Sequence, residues 1–274
     1  MTDSLVALAL AATSVLVAAV IPVSAQPAAL YAAHRGGSLL WPENSLLAFR
    51  GALALGADYI EFDVHLSKEG EVVVIHDPAL DRTTTGSGPV RERTLTELRA
   101  LKLRDHTTRV TEETVPTLDE VAQLAAGSRG RILLEVKVDE RGQRYPGIEE
   151  KVLAILDRHR MALRTIVMAF EPETWRRVRD LAPDVQAGAL YSPKTLEPAA
   201  MRSEMDKLKQ AGVGFIGLSQ ALVTKETVTL ARGAGLLLGV WTVNDPAPLR
   251  RLIELGVGIV ITDRPDLAKE LLKR

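Results

Sequence analysis

From Arg131 to Lys273 the chain repeats one unit: a short apolar run, then a longer stretch with apolar residues every third or fourth position. Such a run reads as a strand, and the 3.6-residue spacing as a helix laid against it. The pairs are Arg131–Lys137 with Ile148–His159, Thr165–Phe170 with Pro172–Leu181, and Gln186–Tyr191 with Leu196–Gln210. Then come Val213–Leu218 with Lys225–Gly233, Leu236–Trp241 with Pro246–Leu255, and Gly258–Thr262 with Pro265–Lys273. Repeated strand–helix units imply parallel strands. Upstream, Leu30–His34 is a strand whose helix carries Leu46, Leu47, Phe49, Leu53 and Leu55, and Asp58–Val64 is a second strand. Its helix, Thr117–Ala126, comes much later. The run Glu71–Ile75 is left out of the count, because the turn Ser67–Gly70 is too short for a parallel crossover and makes it the return arm of a hairpin. Eight units remain. The predicted fold is α/β: a (β/α)8 TIM barrel with a β-hairpin extension after strand 2 and a small inserted subdomain. A doubly wound open sheet is the rival, weakened by the lack of a Gly-rich phosphate loop after the first strand.

The insertion is the stretch at about 78–114, rich in charge and holding one short helical piece, Leu95–Leu103. At the other end, Leu5–Ile21 is an unbroken run of apolar and small residues, and Val23-Ser-Ala25 suits cleavage after Ala25. Residues 1–25 read as a signal peptide or an uncleaved N-terminal anchor, although Met1–Ser4 lack the usual Lys or Arg. The expectation is an exported protein, periplasmic or secreted, touching a membrane only through that segment if it is kept, with the folded domain at 28–274. The net charge of −1, with Lys and Arg dispersed, argues against a nucleic-acid partner. The absence of cysteine excludes disulfides, thiolate metal sites and thiol nucleophiles.

With period two, Glu61, Asp63 and His65 fall on one face of their strand, and Ile60, Phe62 and Val64 on the other. Two acids side by side make poor core residues and good ligands for a hard divalent ion. In a barrel the active site lies at the C-terminal strand ends, and polar residues collect there. The first strand ends in His34-Arg35, the third in Glu135 and Lys137, the seventh in Trp241-Thr-Val-Asn244 and the eighth in Thr262-Asp263-Arg264. Glu61, Asp63 and Glu135 could meet at one divalent cation, Mg²⁺ or Ca²⁺. Arg35 and Lys137 supply charge suited to a phosphate, and His34 and His76 can exchange protons near neutral pH.

This set resembles the glycerophosphodiester phosphodiesterase family. The matching stretches are His34-Arg-Gly36, Pro42-Glu-Asn-Ser45, Gly56-Ala-Asp-Tyr-Ile-Glu-Phe-Asp63, Ser67-Lys-Glu-Gly70 and Val74-Ile-His-Asp77. Further on come Arg82-Thr-Thr84, Pro116-Thr-Leu118, Leu134-Glu-Val-Lys137, Trp241-Thr-Val-Asn244 and Ile261-Thr-Asp-Arg-Pro265. The resemblance implies metal ligands at Glu61, Asp63 and Glu135 with Glu43 a candidate fourth, His34 and His76 as the catalytic pair, and Arg35 and Lys137 on the phosphate. It implies a barrel with the family's insertion, and hydrolysis of glycerophosphodiesters to glycerol 3-phosphate and an alcohol with a divalent cation. Two positions depart from the pattern. Ala169 stands where Ser is usual, which would remove a polar contact, and His65 where Gln or another polar residue is usual.

Plainer readings stand beside these. Glu43 could be a helix-start acid favoured by the dipole. Trp241 could be barrel packing or the apolar wall for a glycerol moiety. Asp263 reads as a helix N-cap, with Asp77 either orienting His76 or opening a turn. His65 reads as a hairpin surface residue, His106 and His159 as solvated, and Arg82–Thr84 as structural within the insertion. The rival enzyme is a phospholipase D-type activity on lysophospholipids or sphingomyelin; the rival class is a binding or scaffold protein on a dead barrel.

Overall fold

The computed structural model of the chain describes residues 29–273, so the leader-or-anchor reading of residues 1–25 lies outside the described residues. Among the described residues no helix is long and apolar enough to cross a membrane. One sheet contains β1 (Leu30–Ala33), β2 (Tyr59–Leu66), β3 (Val72–Val74), β4 (Arg131–Val136), β5 (Thr165–Ala169), β6 (Gln186–Tyr191), β7 (Phe215–Ser219), β8 (Leu237–Trp241) and β9 (Ile259–Thr262). β1 pairs in parallel with both β9 and β2, which closes a barrel of eight strands. β3 runs antiparallel to β2, with Val64 opposite Val74 and His65 opposite Val73, as the hairpin reading requires.

The helices are α1 (Leu46–Leu55), α2 (Leu95–Ala100), α3 (Leu118–Ala126), α4 (Ile148–Arg158), α5 (Pro172–Leu181), α6 (Met201–Gln210), α7 (Lys225–Ala234), α8 (Pro246–Leu255) and α9 (Pro265–Leu271). Strand pleating sorts the apolar side chains into two layers. Ala32, Tyr59, Leu133, Ile166, Met168, Leu190, Phe215, Ile259 and Ile261 fill the barrel, while Ile60, Phe62, Val64, Ile132 and Leu134 face the helices. Phe215 fits the axis because its neighbours are small. A Cβ added at Gly188 or Gly239 would stand 2.7 or 2.5 Å from its ring.

The insertion has its own small core: Leu80, Val90, Leu98, Leu103 and Val115 pack on Val73 and Ile75 of the hairpin arm. Its helix is shorter than expected. A capping box between Thr94 and Glu97 starts α2, but Leu101 is already extended and the Leu103 amide donates to the Glu113 carbonyl. α6 likewise begins at Met201 and not at Leu196, because Ser192–Leu196 close a turn and Pro198 opens a separate 3-10 turn.

His65 is the larger correction. It is fully buried, and its Nε2 donates to the His76 carbonyl at 3.0 Å while Nδ1 accepts from the Tyr145 hydroxyl at 3.0 Å. The pleat puts it on the face of Glu61 and Asp63, and the segment ahead of α4 covers it. Burial pushes its pKa down from 6.5 to about 4. Between those values the unfolded chain binds the proton that the folded one refuses, so stability is full above about 6.5 and falls as pH drops toward 4. The shift is worth on the order of 3 kcal/mol. His65→Gln should flatten the denaturation free energy between pH 6.5 and 4; an unchanged slope would assign the loss to other groups.

Candidate active site

β2 and β4 set the acids. Asp63 lies directly opposite Glu135 in the parallel register, and Glu61 opposite Leu133 one pleat below. One carboxylate oxygen from each of Glu61, Asp63 and Glu135 falls within 4.8 Å of the others. The chain after β1 wraps over them: the Arg35 amide donates to Glu61 Oε2 at 2.8 Å and Asn44 Nδ2 to Asp63 Oδ2 at 3.0 Å. That wrap is tight. Arg35 and Asn44 sit at φ 51° and 58°, and the Asn44 amide donates to the Arg35 carbonyl at 2.9 Å. A Cβ at Gly36 would lie 2.6 Å from the Ala48 Cβ, so only glycine lets α1 come this close.

Two cations answer the acids. Lys137 Nζ donates to Glu135 Oε1 at 2.7 Å and stands 3.5 Å from Asp63 Oδ1. Arg35 Nε is 3.8 Å from Asp63 Oδ2. Burial pushes Asp63 up, but Lys137, His76 and Arg35 outweigh it and its net shift is down. Glu61 goes the other way: burial raises it to about 8 against the pull of His34. Lys137 is held above its ordinary value, because Glu135 and Asp63 outweigh burial. The donor set suits a hard divalent cation. It is three converging carboxylates, with the buried Asn44 Oδ1 beside them lacking a hydrogen-bond partner. Glu43 stands apart from that cluster. Its oxygens accept from Arg35 Nη1 at 3.1 Å and from Arg82 at 2.8 and 2.9 Å, so it is an ion-pair bridge.

Each histidine is held by a carboxylate at Nδ1. His34 donates to Asp263 Oδ1 at 2.6 Å and His76 to Asp77 Oδ1 at 2.6 Å. Asp263 is buried, which raises its pKa, yet donors from His34, Ser38 and Asn244 bring it down to about 2. It is therefore ionised, and the His34 Nδ1 carries the proton. Burial lowers His34, but the charge of Glu61 and the bond to Asp263 outweigh it and the net shift is up. His76 Nε2 lies 3.2 Å from Lys137 Nζ, so the ammonium faces the nitrogen opposite the one anchored on Asp77.

A cavity of about 270 Å³ opens here, lined on one side by His34, Arg35, Glu61, His76, Glu135 and Lys137. Met168, Phe170, Leu190, Trp241 and Ile261 form an apolar side, with Thr242 between. Trp241 meets Phe170 edge to face at 5.7 Å, so it is both packing and cavity wall. Ala169 matters less than its neighbours. Ile166 and Met168 face the barrel interior, so by alternation a hydroxyl at 169 would point away from the cavity.

Asp263 is no helix cap. Arg264 occupies the N-cap of α9 with no side-chain bond, and Asp263 instead accepts from His34, from Ser38 at 2.6 Å and from Asn244 at 2.7 Å. Sequence gathered it among the strand-end polar residues, but the local capping rule hid its partner 229 residues away. Arg82 is not merely structural within the insertion, since it reaches Glu43 and Asp77. His159 is half-buried on Asp119 at 2.9 Å, whereas His106 is exposed as expected.

Residues 34–267 match the model of the glycerophosphoryl diester phosphodiesterase family. The chain is 35% identical over 246 residues to a glycerophosphodiester phosphodiesterase of Caldanaerobacter subterraneus subsp. tengcongensis, covering 89% of this chain and 98% of the relative. It is 33% identical over 260 residues to one from Bacillus subtilis, covering 89% and 86%. A crystal structure of a glycerophosphodiester phosphodiesterase from Agrobacterium tumefaciens superposes with a TM-score of 0.74 at 27% identity, covering 88% of this chain and 99% of that one.

Asp263→Asn should lower the His34 pKa by removing the charge that helps raise it. Titration of the ring by NMR reads this, and an unmoved midpoint would show that Asp263 does not govern the proton.

Proposed function

Because the chain belongs to the glycerophosphoryl diester phosphodiesterase family, we propose that it hydrolyses glycerophosphodiesters to glycerol 3-phosphate and an alcohol, using one divalent cation and two histidines. The observation that carries the reading is the pairing of two carboxylate-anchored histidines across one small cavity with a buried acid cluster. Glu61, Asp63 and Glu135 would hold the cation, Mg²⁺ or Ca²⁺, which when bound supplies Lewis-acid polarisation of the phosphoryl oxygens.

The chain's own groups do the rest. Arg35 and Lys137 bind the negative oxygens and stabilise charge as it redistributes. Drawn to the phosphate, Lys137 uncovers the His76 Nε2 lone pair, which takes the proton of the attacking hydroxyl as general base. His34, favoured as the imidazolium, returns a proton from Nε2 to the leaving alkoxide. The attacking oxygen is the neighbouring glycerol hydroxyl, giving a cyclic phosphate that water opens, or water itself. Substrates lacking the 2-hydroxyl separate the two routes. The phospholipase D-type reading on lysophospholipids or sphingomyelin is not favoured: the relatives are named for glycerophosphodiesters, and about 270 Å³ is small for a lipid. Export, inferred from residues 1–25, belongs to the same proposal.

Incubation with a panel of glycerophosphodiesters after chelation and metal add-back should release glycerol 3-phosphate. No release with either Mg²⁺ or Ca²⁺ would sink the reading and revive the dead-barrel one. His34→Asn and His76→Asn should each lower kcat by roughly 10²–10⁴. Because burial raises Glu61 and the pull of Glu61 raises His34, cation binding near neutral pH should expel a proton from that coupled pair and tighten as pH rises. Calorimetry in buffers of different ionisation heat detects that proton, and buffer-independent heats would contradict it.

A further inference from the structure

Among the charged connections between the insertion and the barrel, the one made by Arg82 reaches groups that the mechanism above uses. Arg82 places Nη1 and Nη2 on Glu43 at 2.8 and 2.9 Å, and Nε and Nη2 on Asp77 at 2.7 and 3.0 Å. The same Glu43 oxygen that takes Arg82 Nη2 takes Arg35 Nη1. The same Asp77 oxygen takes the His76 Nδ1 proton. One planar fork thus fixes two carboxylates, and each carboxylate fixes a different working side chain. We infer that Arg82 is a positioning residue that sets the His76 ring through Asp77 and the Arg35 guanidinium through Glu43, so that the insertion is part of the machinery. The inference rests on the roles given to His76 and Arg35 above.

The bland alternative is a surface ion pair. Arg82 is 48% exposed, and exposed pairs contribute little to stability. Geometry decides between them. A stabilising surface pair needs one contact; Arg82 makes four, in two bidentate forks, to two residues that both turn inward. The two histidine anchors also differ in what holds them. Asp263 is gripped by Ser38 and Asn244 of the barrel mouth. Asp77 is half-buried, and Arg82 supplies both of the guanidinium bonds that stop it from turning. Without Arg82, Asp77 is free to rotate and His76 can present either nitrogen to the cavity. Glu43, whose side chain is only 13% exposed, keeps Arg35 alone as a partner and pulls it from the phosphate position.

The test uses Arg82→Ala and Arg82→Lys in the full chain. Arg82→Ala should lower kcat by about 10–100-fold, the usual cost of removing a partner that orients a working side chain, with the melting temperature nearly unchanged. Lysine should rescue little, since it keeps the charge but loses the fork. Millimolar guanidinium should restore part of the alanine variant's turnover, and ammonium should not. Undiminished kcat in Arg82→Ala, or a loss that guanidinium leaves untouched, overturns the inference. The ¹⁵N spectrum of the His76 ring decides the same point without turnover: the wild type should hold the proton at Nδ1 and Arg82→Ala should show mixed tautomers, an unchanged spectrum being fatal. If the wild type fails to cleave any glycerophosphodiester, the functional reading falls while that spectrum still judges Arg82.

Discussion

Three carboxylates within 4.8 Å of one another, all buried, are the constraint that shapes the rest of the mouth. Two unit charges about 4 Å apart repel by roughly 4 kcal/mol at an effective dielectric near 20. An apolar lining would leave them protonated or the fold unformed. The chain answers with Lys137 and Arg35, with the Arg35 amide on Glu61 and with Asn44 on Asp63. The answer is uneven: Asp63 is driven down and Glu61 up. One acid is held as the carboxylate, and the other favours its proton. The left-handed turns at Arg35 and Asn44 follow from the same need, because they bring backbone and amide donors onto acids that the strands alone leave uncovered.

The histidines divide along the same line. His34 grows from β1 and is anchored by a carboxylate seated after β9, its direct neighbour in the closed barrel, so ring closure itself builds that anchor. His76 lies beyond the hairpin arm and is anchored by the very next residue. A mobile hairpin would carry ring and anchor away together. Val73 and Ile75 in the insertion's core, and the His65–Tyr145 pair beneath, hold that arm in place.

Much of this is legible in the sequence. Period two along β2 put Glu61 and Asp63 on one face, and counting crossovers against a four-residue turn separated the hairpin from the barrel. What was hidden is what depends on stagger or on distant partners. No local pattern says that Asp63 stands level with Glu135, since that follows from the parallel register. Asp263 ahead of Arg264-Pro265 satisfies the local rule for a cap, and only a closed ring brings it to His34. His65 looked like a surface residue because its cover, Tyr145, lies eighty positions on. Glu43 reads equally as ligand or helix-start acid until Arg82 arrives from the insertion.

The stacked interior has a last consequence. Met168, Leu190 and Ile261 belong both to the apolar fill of the barrel and to the cavity lining, and Phe215 occupies the axis with them. The cavity is therefore closed at its inner end by the barrel's own core. Whatever enters meets its floor there, with the aromatic pair of Phe170 and Trp241 along its apolar side.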